Sequence, residues 1–121
     1  MPDERDRSQY RSLIDAMVHE CRDGQGQVFP GWVRRGVWNR EALERPDDLP
    51  EEARMNAVLA HLGDSDRAVI ARMVELSYEG GVNDTLRVLH DHQVPPFEDG
   101  YERAPFNDFM GRLETDWDWP T

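Results

Sequence analysis

The sequence predicts an all-α protein, a single-domain bundle of four to six helices. Three observations support this fold class. Apolar residues recur at helical spacing in several stretches, proline and glycine stand where those helices would begin or end, and the one hairpin signal, near residues 99–103, lacks strand alternation. A chain of 121 residues fits one domain that buries about two thirds of its unfolded surface. Irregular segments are expected near residues 24–50 and 94–104.

The first helix is predicted over residues 5–22. Asp3, Glu4 and Asp6 stand at its amino end, where the helix dipole favours negative charge, and Asp23-Gly24 gives a stop. Its apolar stripe follows the spacing i, i+3, i+4, i+7, i+8 and i+11 through Tyr10, Leu13, Ile14, Met17, Val18 and Cys21.

Two short helical turns and one full helix are predicted next. Residues 30–36 begin with proline and end with glycine, and residues 40–44 form a further turn. A helix opens at Pro50 and ends before Gly63. The side chains expected to be buried are Trp32, Val33 and Val37 from the first of these segments and Met55, Val58, Leu59 and Leu62 from the helix.

Residues 64–94 carry the longest apolar periodicity in the chain. A helix capped by Asp64 or Ser65 is predicted, and Gly80-Gly81 allows either a break or one long bent helix. We favour the break, with a new helix capped at Asn83 or Asp84, and expect close approach of another backbone at the glycine pair. The inner face of the first part is predicted to hold Val69, Ile70, Met73, Val74 and Ser77, widened by Leu76 and Tyr78.

The last helix is predicted to start near Pro105. The segment Val94–Gly100 ends the preceding helix because a residue before proline avoids the helical conformation. Two tryptophans in the tail, Trp117 and Trp119, are expected to fold back onto the body of the protein. The apolar stripe of the last helix consists of Phe106, Phe109, Met110 and Leu113.

The charge distribution disfavours nucleic acids and anionic membranes as partners. The net charge is −11, and residues 46–121 account for all of it with six Arg against seventeen acidic residues. A basic protein partner fits better. All fourteen basic residues are Arg, a bias that the codon usage of a GC-rich, bacterial genome would give.

No catalytic, metal or cofactor motif stands out. The single cysteine, Cys21, excludes an internal disulfide, and the chain has no apolar leader, so a soluble cytoplasmic protein is expected. His90 and His92 lie two residues apart, which places them on opposite sides of a helix and disfavours a shared metal ion. Catalytic and metal-binding residues, and a cofactor, are therefore not predicted.

A candidate partner surface is the segment that interleaves aromatic residues with arginine. Its residues are Trp32, Arg34, Arg35 and Trp38, and the tail residues Trp117 and Trp119 are their candidate complement within the chain or across subunits. The alternative, which we favour, is that the tryptophans fill the core while the arginines pair with the acidic half.

The sequence resembles a family of small, uncharacterised bacterial proteins known only as a domain of unknown function. The resemblance rests on residues 69–73, on residues 79–86 with the pattern EGGVNDTL, on Asp108-Phe109 and on Asp116-Trp117. It covers mainly the C-terminal half. The resemblance implies a small, mostly helical bacterial protein and brings no activity, cofactor or site residue.

Three functional hypotheses follow. The leading one is a non-catalytic protein-interaction module that binds another protein or a second copy of itself. The second is an acidic inhibitor or immunity-type protein directed against a basic partner. The third is a small metal-dependent enzyme whose histidine and acidic residues are brought together by folding.

Overall fold

The all-α class is confirmed by a computed structural model that describes residues 4–98, 103–115 and 117–120. Across these residues the chain forms six α-helices and a short 3-10 helix, with no strand. The expected turn at Asp99-Gly100 and the parts assigned to Asp3 and Asp116 lie outside the described residues. The helices are α1 Glu4–Asp23, α2 Val28–Arg35, α3 Glu41–Glu44, α4 Pro50–His61, α5 Asp64–Asp91 and α6 Pro105–Thr115, with the 3-10 helix at Gln25–Gln27.

The contacts of the chain divide it into two compact units. The terminal unit comprises Met1–Asp23 and Tyr78–Thr121, and the central unit comprises Gly24–Ser77. Helix α5 contributes residues 64–77 to the central unit and residues 78–91 to the terminal unit. The expectation of a single domain stays a prediction.

The terminal unit has the larger core. Tyr10, Ile14, Val18 and Cys21 are buried along α1, so the predicted stripe of this helix is confirmed. Partly buried Leu13 and Met17 pack against the same core. The other buried residues of this core come from the second half of α5, from the segment after it and from α6. They are Leu86, Phe97, Phe109 and Leu113.

The central unit has a smaller core. Its buried apolar cluster consists of Val33 from α2, Leu59 from α4 and Ala71 from α5. Two of these three side chains are small to medium in size, so little apolar area is removed from water here. The partly buried residues packed against the cluster are Trp38, Leu62, Ile70 and Val74.

The predicted break at Gly80-Gly81 is wrong. Helix α5 runs without interruption through both glycines. The expected close approach of another backbone is wrong as well, because a Cβ atom built on Gly80 or Gly81 would have no neighbour within 4 Å. The cost of two glycines, about 1 kcal/mol each relative to alanine, is offset by side chains on either side of them, Tyr78, Val82 and Leu86, which pack in the terminal core.

The predicted inner faces of α4 and of the first half of α5 are confirmed only in part. On α4, Leu59 is buried and Leu62 packs against the central core as predicted, but Met55 and Val58 are exposed and Asn56 is buried. On α5, Ala71 takes the fully buried position. The predicted α5 residues that the structure exposes are Val69, Met73, Leu76 and Ser77. The apolar stripes exist, but the core uses the neighbouring face of each helix.

A left-handed glycine ends α2. Gly36 has φ +80° and its backbone N–H donates to the carbonyl oxygens of Trp32 and Val33. A Cβ atom at this position would lie 2.5 Å from the guanidinium carbon of Arg67. The same Arg67 donates from Nε to the carbonyl of Leu59 at 3.0 Å. Arg67 thereby connects the ends of α2 and α4 to α5.

Candidate functional site

An aromatic cluster forms on the surface of the central unit. The ring centroids of Phe29, Trp32 and Trp38 lie 4.9, 5.2 and 5.4 Å apart, close enough for all three pairs to touch. Phe29 is exposed, and the two tryptophans are only half-buried. The guanidinium of Arg35 lies 5.8 Å from the centroid of the Trp32 ring. Trp38 packs against the central core cluster, but neither Trp32 nor Trp38 is fully buried, so the interpretation that these tryptophans fill the core holds only in part.

Buried Asn56 fixes the position of Trp38. Its side-chain oxygen accepts from the backbone N–H of Trp38 at 2.7 Å and of Asn39 at 3.0 Å. Its Nδ2 donates to the carbonyl of Asn39 at 2.7 Å. Asn39 in turn accepts from the backbone of Glu41 at 2.9 Å and so supports the start of α3. Three hydrogen bonds from one buried amide hold the loop that carries the indole.

The apolar pattern gives no reason to predict Asn56 as buried. A polar residue one position from Met55 reads as part of the solvent face of α4. One signal does exist: asparagine is a poor residue for a helix interior unless its side chain bonds elsewhere. Its spacing of three from Leu59 also places it beside a buried position.

A second polar cluster joins α2 to α5 through Glu75. Arg34 donates to its carboxylate at 2.6 Å, Gln27 at 3.2 Å, and a nitrogen of Arg72 lies 3.5 Å away. Burial raises the pKa of Glu75, but the hydrogen bonds from Gln27 and Arg34, with the charges of Arg34 and Arg72, outweigh it. The net effect is a lowered pKa. The prediction that arginines of this segment pair with the acidic half holds for Arg34.

An open apolar groove of about 520 Å³ lies beside the aromatic cluster in the central unit. We call it the α4–α5 groove. It shares Trp38 with the aromatic cluster, so the two features form one continuous surface. Its lining includes only two charged side chains, Glu51 and Arg54, which have opposite signs. The apolar lining consists of Val33, Trp38, Met55, Val58, Leu59, Ile70 and Val74.

A ridge of exposed apolar side chains borders this groove on α5. Val69, Met73 and Leu76 follow the spacing i, i+4 and i+7, and we call them the α5 ridge. At about 100° per residue, Met73 lies roughly 60° round the helix from groove residue Ile70. Met73 is 61% exposed, although it belongs to the longest apolar periodicity in the chain. Apolar side chains concentrated on one exposed face are typical of an interaction surface.

The two tail tryptophans, by contrast, have bonding partners in the terminal unit. Trp119 donates from Nε1 to the carboxylate of Asp15 at 3.1 Å, and its ring meets the edge of Tyr10 at 5.9 Å. The guanidinium groups of Arg11 and Arg112 lie 5.5 and 5.0 Å from the centroid of its ring. The predicted folding back of the tail is confirmed for Trp119. These contacts give it a structural role as a clamp on α1.

The terminal unit contains a second apolar groove, of about 450 Å³. It lies between α1 and α5, with Met17, Tyr78, Gly81 and Val82 among its lining residues. Burial, together with the charges of Glu79 and Glu20, raises the pKa of the nearby Cys21 thiol to about 11. A buried thiol with a raised pKa stays protonated and is a poor nucleophile.

The histidines and the buried acid of the terminal unit make separate contacts in the part of the chain that the structure describes. Among the residues that the structure describes, no three side chains of His, Cys, Asp or Glu converge as a ligand set. His90 bonds through Nδ1 to the carbonyl of Phe97 at 3.0 Å, beyond its own helix. Fully buried Asp108 accepts a hydrogen bond from the hydroxyl of Tyr10 and so ties α6 to α1.

The chain belongs to a family of unknown function, DUF6547, whose model matches residues 3–121. The resemblance predicted for the C-terminal half therefore extends over nearly the whole chain, including the aromatic cluster. No curated protein and no solved structure is significantly similar to the chain.

Within the described residues no helix is long and apolar enough to cross a membrane.

Proposed function

We propose that the protein is a non-catalytic interaction module of a bacterial cytoplasm. Its binding surface is the central unit, where the aromatic cluster, the α4–α5 groove and the α5 ridge meet. The observation that carries the proposal is the uneven exposure of apolar side chains. Of the ten large hydrophobic residues that are exposed in the described part of the chain, eight lie in Gly24–Ser77. The eight are Val28, Phe29, Leu43, Met55, Val58, Val69, Met73 and Leu76.

The composition of this surface matches that of protein-binding sites. Trp and Arg are enriched among the residues that contribute most to interface affinity, and methionine adapts its shape to a partner. On this surface Trp32, Trp38, Arg34 and Arg35 are residues of the first kind, and Met55 is the adaptable methionine. Helix α2 fixes the positions of Trp32, Arg34 and Arg35, and the hydrogen bonds of Asn56 fix the position of Trp38. A rigid surface loses less conformational entropy on binding.

The cytoplasmic part of the proposal has its own support. Cys21 is the single cysteine of the chain and is buried, so the chain has no internal disulfide, as expected for a compartment that keeps thiols reduced. The exclusive use of arginine supports a GC-rich bacterial source.

Site-specific photo-crosslinking tests the proposed surface. A photoreactive amino acid is placed at Val58 in the groove or, as a matched control, at Val88 on the second half of α5. The two valines are 55% and 57% exposed, so probe accessibility is equal. We expect a discrete covalent adduct from position 58, lost on Trp38→Ala, and none from position 88. Equal crosslinking from both positions would contradict the proposal.

A second candidate function rests on the charge of the other unit. Segments 1–23 and 78–121 hold 16 acidic residues against 7 Arg. This excess favours an acidic inhibitor of a basic protein, bound through the terminal unit. A photoreactive group at exposed Asp84 would then form an adduct at low salt that disappears at high salt. Adducts insensitive to salt, or none, would exclude this candidate.

A further inference from the structure

We infer that the occupant of the α4–α5 groove is a second copy of this chain, and that the α5 ridges of the two copies cross at the centre of the interface. The inference rests on the proposed function and names the partner of that same surface.

The α4–α5 groove and the α5 ridge together provide both halves of a helix-in-groove contact. A groove of this kind accepts a helix that presents apolar residues at i, i+3 or i+4, and i+7. The α5 ridge has this spacing in Val69, Met73 and Leu76, and it projects away from the core, since Met73 lies roughly 160° round α5 from buried Ala71. Two copies can therefore exchange the same contacts.

The ridge is also symmetric about its middle. In an antiparallel crossing centred beside Met73, each ridge lies along the edge of the opposite groove, with Val69 of one copy near Leu76 of the other and the two Met73 side chains near each other. A two-fold dimer requires this self-complementarity, and it is the commonest symmetry of soluble oligomers.

Charge favours the central unit as the place where two acidic chains approach. Residues 24–77 hold 7 Arg against 9 acidic residues, whereas the rest of the chain holds 7 against 16. The two charged residues lining the groove, Glu51 and Arg54, are of opposite sign. A basic partner would gain little electrostatic attraction at this nearly neutral face, and a copy would meet little repulsion.

The exposed area is compatible with a dimer. Five half-exposed side chains, those of Met55, Val58 and the α5 ridge, present on the order of 500 Å², against ~800 Å² per partner in a standard interface. The neighbouring aromatic cluster supplies further apolar area. A small apolar ligand in the groove would leave the ridge uncovered, which disfavours it as the natural occupant.

The first experiment measures mass by light scattering coupled to size exclusion across a concentration series. The wild type should approach twice the 14.1 kDa of the chain. Met73→Glu should weaken dimerisation by more than about tenfold, because it buries a charge on both sides of the axis. Val88→Glu, a change to glutamate at a site of similar exposure, should leave the dimer intact. A wild type that stays monomeric throughout would overturn the inference.

The second experiment gives a positive signal and does not depend on a destabilised variant. Met73→Cys is treated with a short bis-maleimide, to which buried Cys21 is a poor reactant. We expect a covalent dimer from Met73→Cys and none from Val88→Cys. Equal yields from both would overturn the inference.

The two proposals fail separately. A monomeric wild type whose position 58 still crosslinks specifically to a different protein, or binds an apolar ligand, would overturn the second copy and leave the interaction surface. Equal photo-crosslinking from positions 58 and 88 would overturn the proposed interaction surface itself.

Discussion

The two units of this protein use apolar residues in opposite ways. The terminal unit buries long side chains from α1, α6 and the second half of α5, and its surface is acidic. The central unit buries Val33, Leu59 and Ala71 and leaves larger apolar groups in solvent. One helix, α5, takes part in both. The comparison teaches that the same apolar periodicity can build a core in one half of a helix and an exposed apolar surface in the other.

The largest effect that separates the units is expected from truncation of the terminal core. Phe109→Ala should lower the free energy of unfolding by about 3–5 kcal/mol, because the ring is fully buried and a cavity remains. Leu76→Ala on the α5 ridge should change it by less than about 0.5 kcal/mol in dilute protein. Urea unfolding followed by circular dichroism measures both. Similar losses from the two variants would remove the distinction.

The next largest effect concerns the polar anchor of the central unit. Asn56→Ala should cost about 2–3 kcal/mol, because three backbone groups of Trp38 and Asn39 lose a buried partner. Asn107→Ala, at an exposed position of α6, serves as the control and should cost less than about 0.5 kcal/mol. Tryptophan fluorescence should shift in Asn56→Ala even below the unfolding transition. An unshifted spectrum would show that Asn56 does not position Trp38.

Replacement of two glycines by alanine should change the stability of the protein in opposite directions. Gly36→Ala should destabilise by about 1–2 kcal/mol, since alanine is strained at a positive φ. Gly80→Ala should stabilise by about 1 kcal/mol, because the position is helical and open. Thermal unfolding of the two variants gives the signs directly. A destabilised Gly80→Ala would restore the close backbone approach that the glycine pair suggests in sequence.

The smallest effect is a pH dependence of the central unit. A lowered pKa of Glu75 means that its contribution to stability is present above its ordinary pKa of 4.5 and is lost as pH falls through the lowered value. Glu75→Gln should therefore cost roughly 1 kcal/mol near neutral pH, because Arg34 is about half exposed and partly screened. The difference from wild type should shrink as the pH falls below 4.5. Urea unfolding at neutral and at acidic pH measures this difference. A difference that does not change with pH would contradict the role of the ion pair.

Sequence predicted the helices well because their signals are local. The stripe of α1, the proline at the start of α4 and the onset of α6 at Pro105 each depend on neighbouring residues alone. The inner faces of α4 and α5 were predicted only in part because burial is decided by packing partners. Ala71 and Asn56 carry little hydrophobic signal, yet the core selects them because they fit beside α2 and the Trp38 loop.

The candidate site could be predicted only in part. The interleaving of Trp32, Arg34, Arg35 and Trp38 is visible in the sequence, and the structure brings these residues into one unit. The groove and the ridge could not be predicted, because their residues have the pattern of a core. Only their exposure in the folded chain distinguishes this proposed binding surface from a buried stripe.

Methionine oxidation tests the central claim most directly, because the chain offers the same chemistry in both units. Dilute and concentrated samples are treated briefly with peroxide, and oxidation is measured peptide by peptide. Met55 and Met73 in the central unit should oxidise quickly when dilute and become protected when concentrated. Met17 and Met110, which pack against the terminal core, should not respond to concentration. Equal behaviour of all four residues would contradict an exposed central surface that a second copy covers.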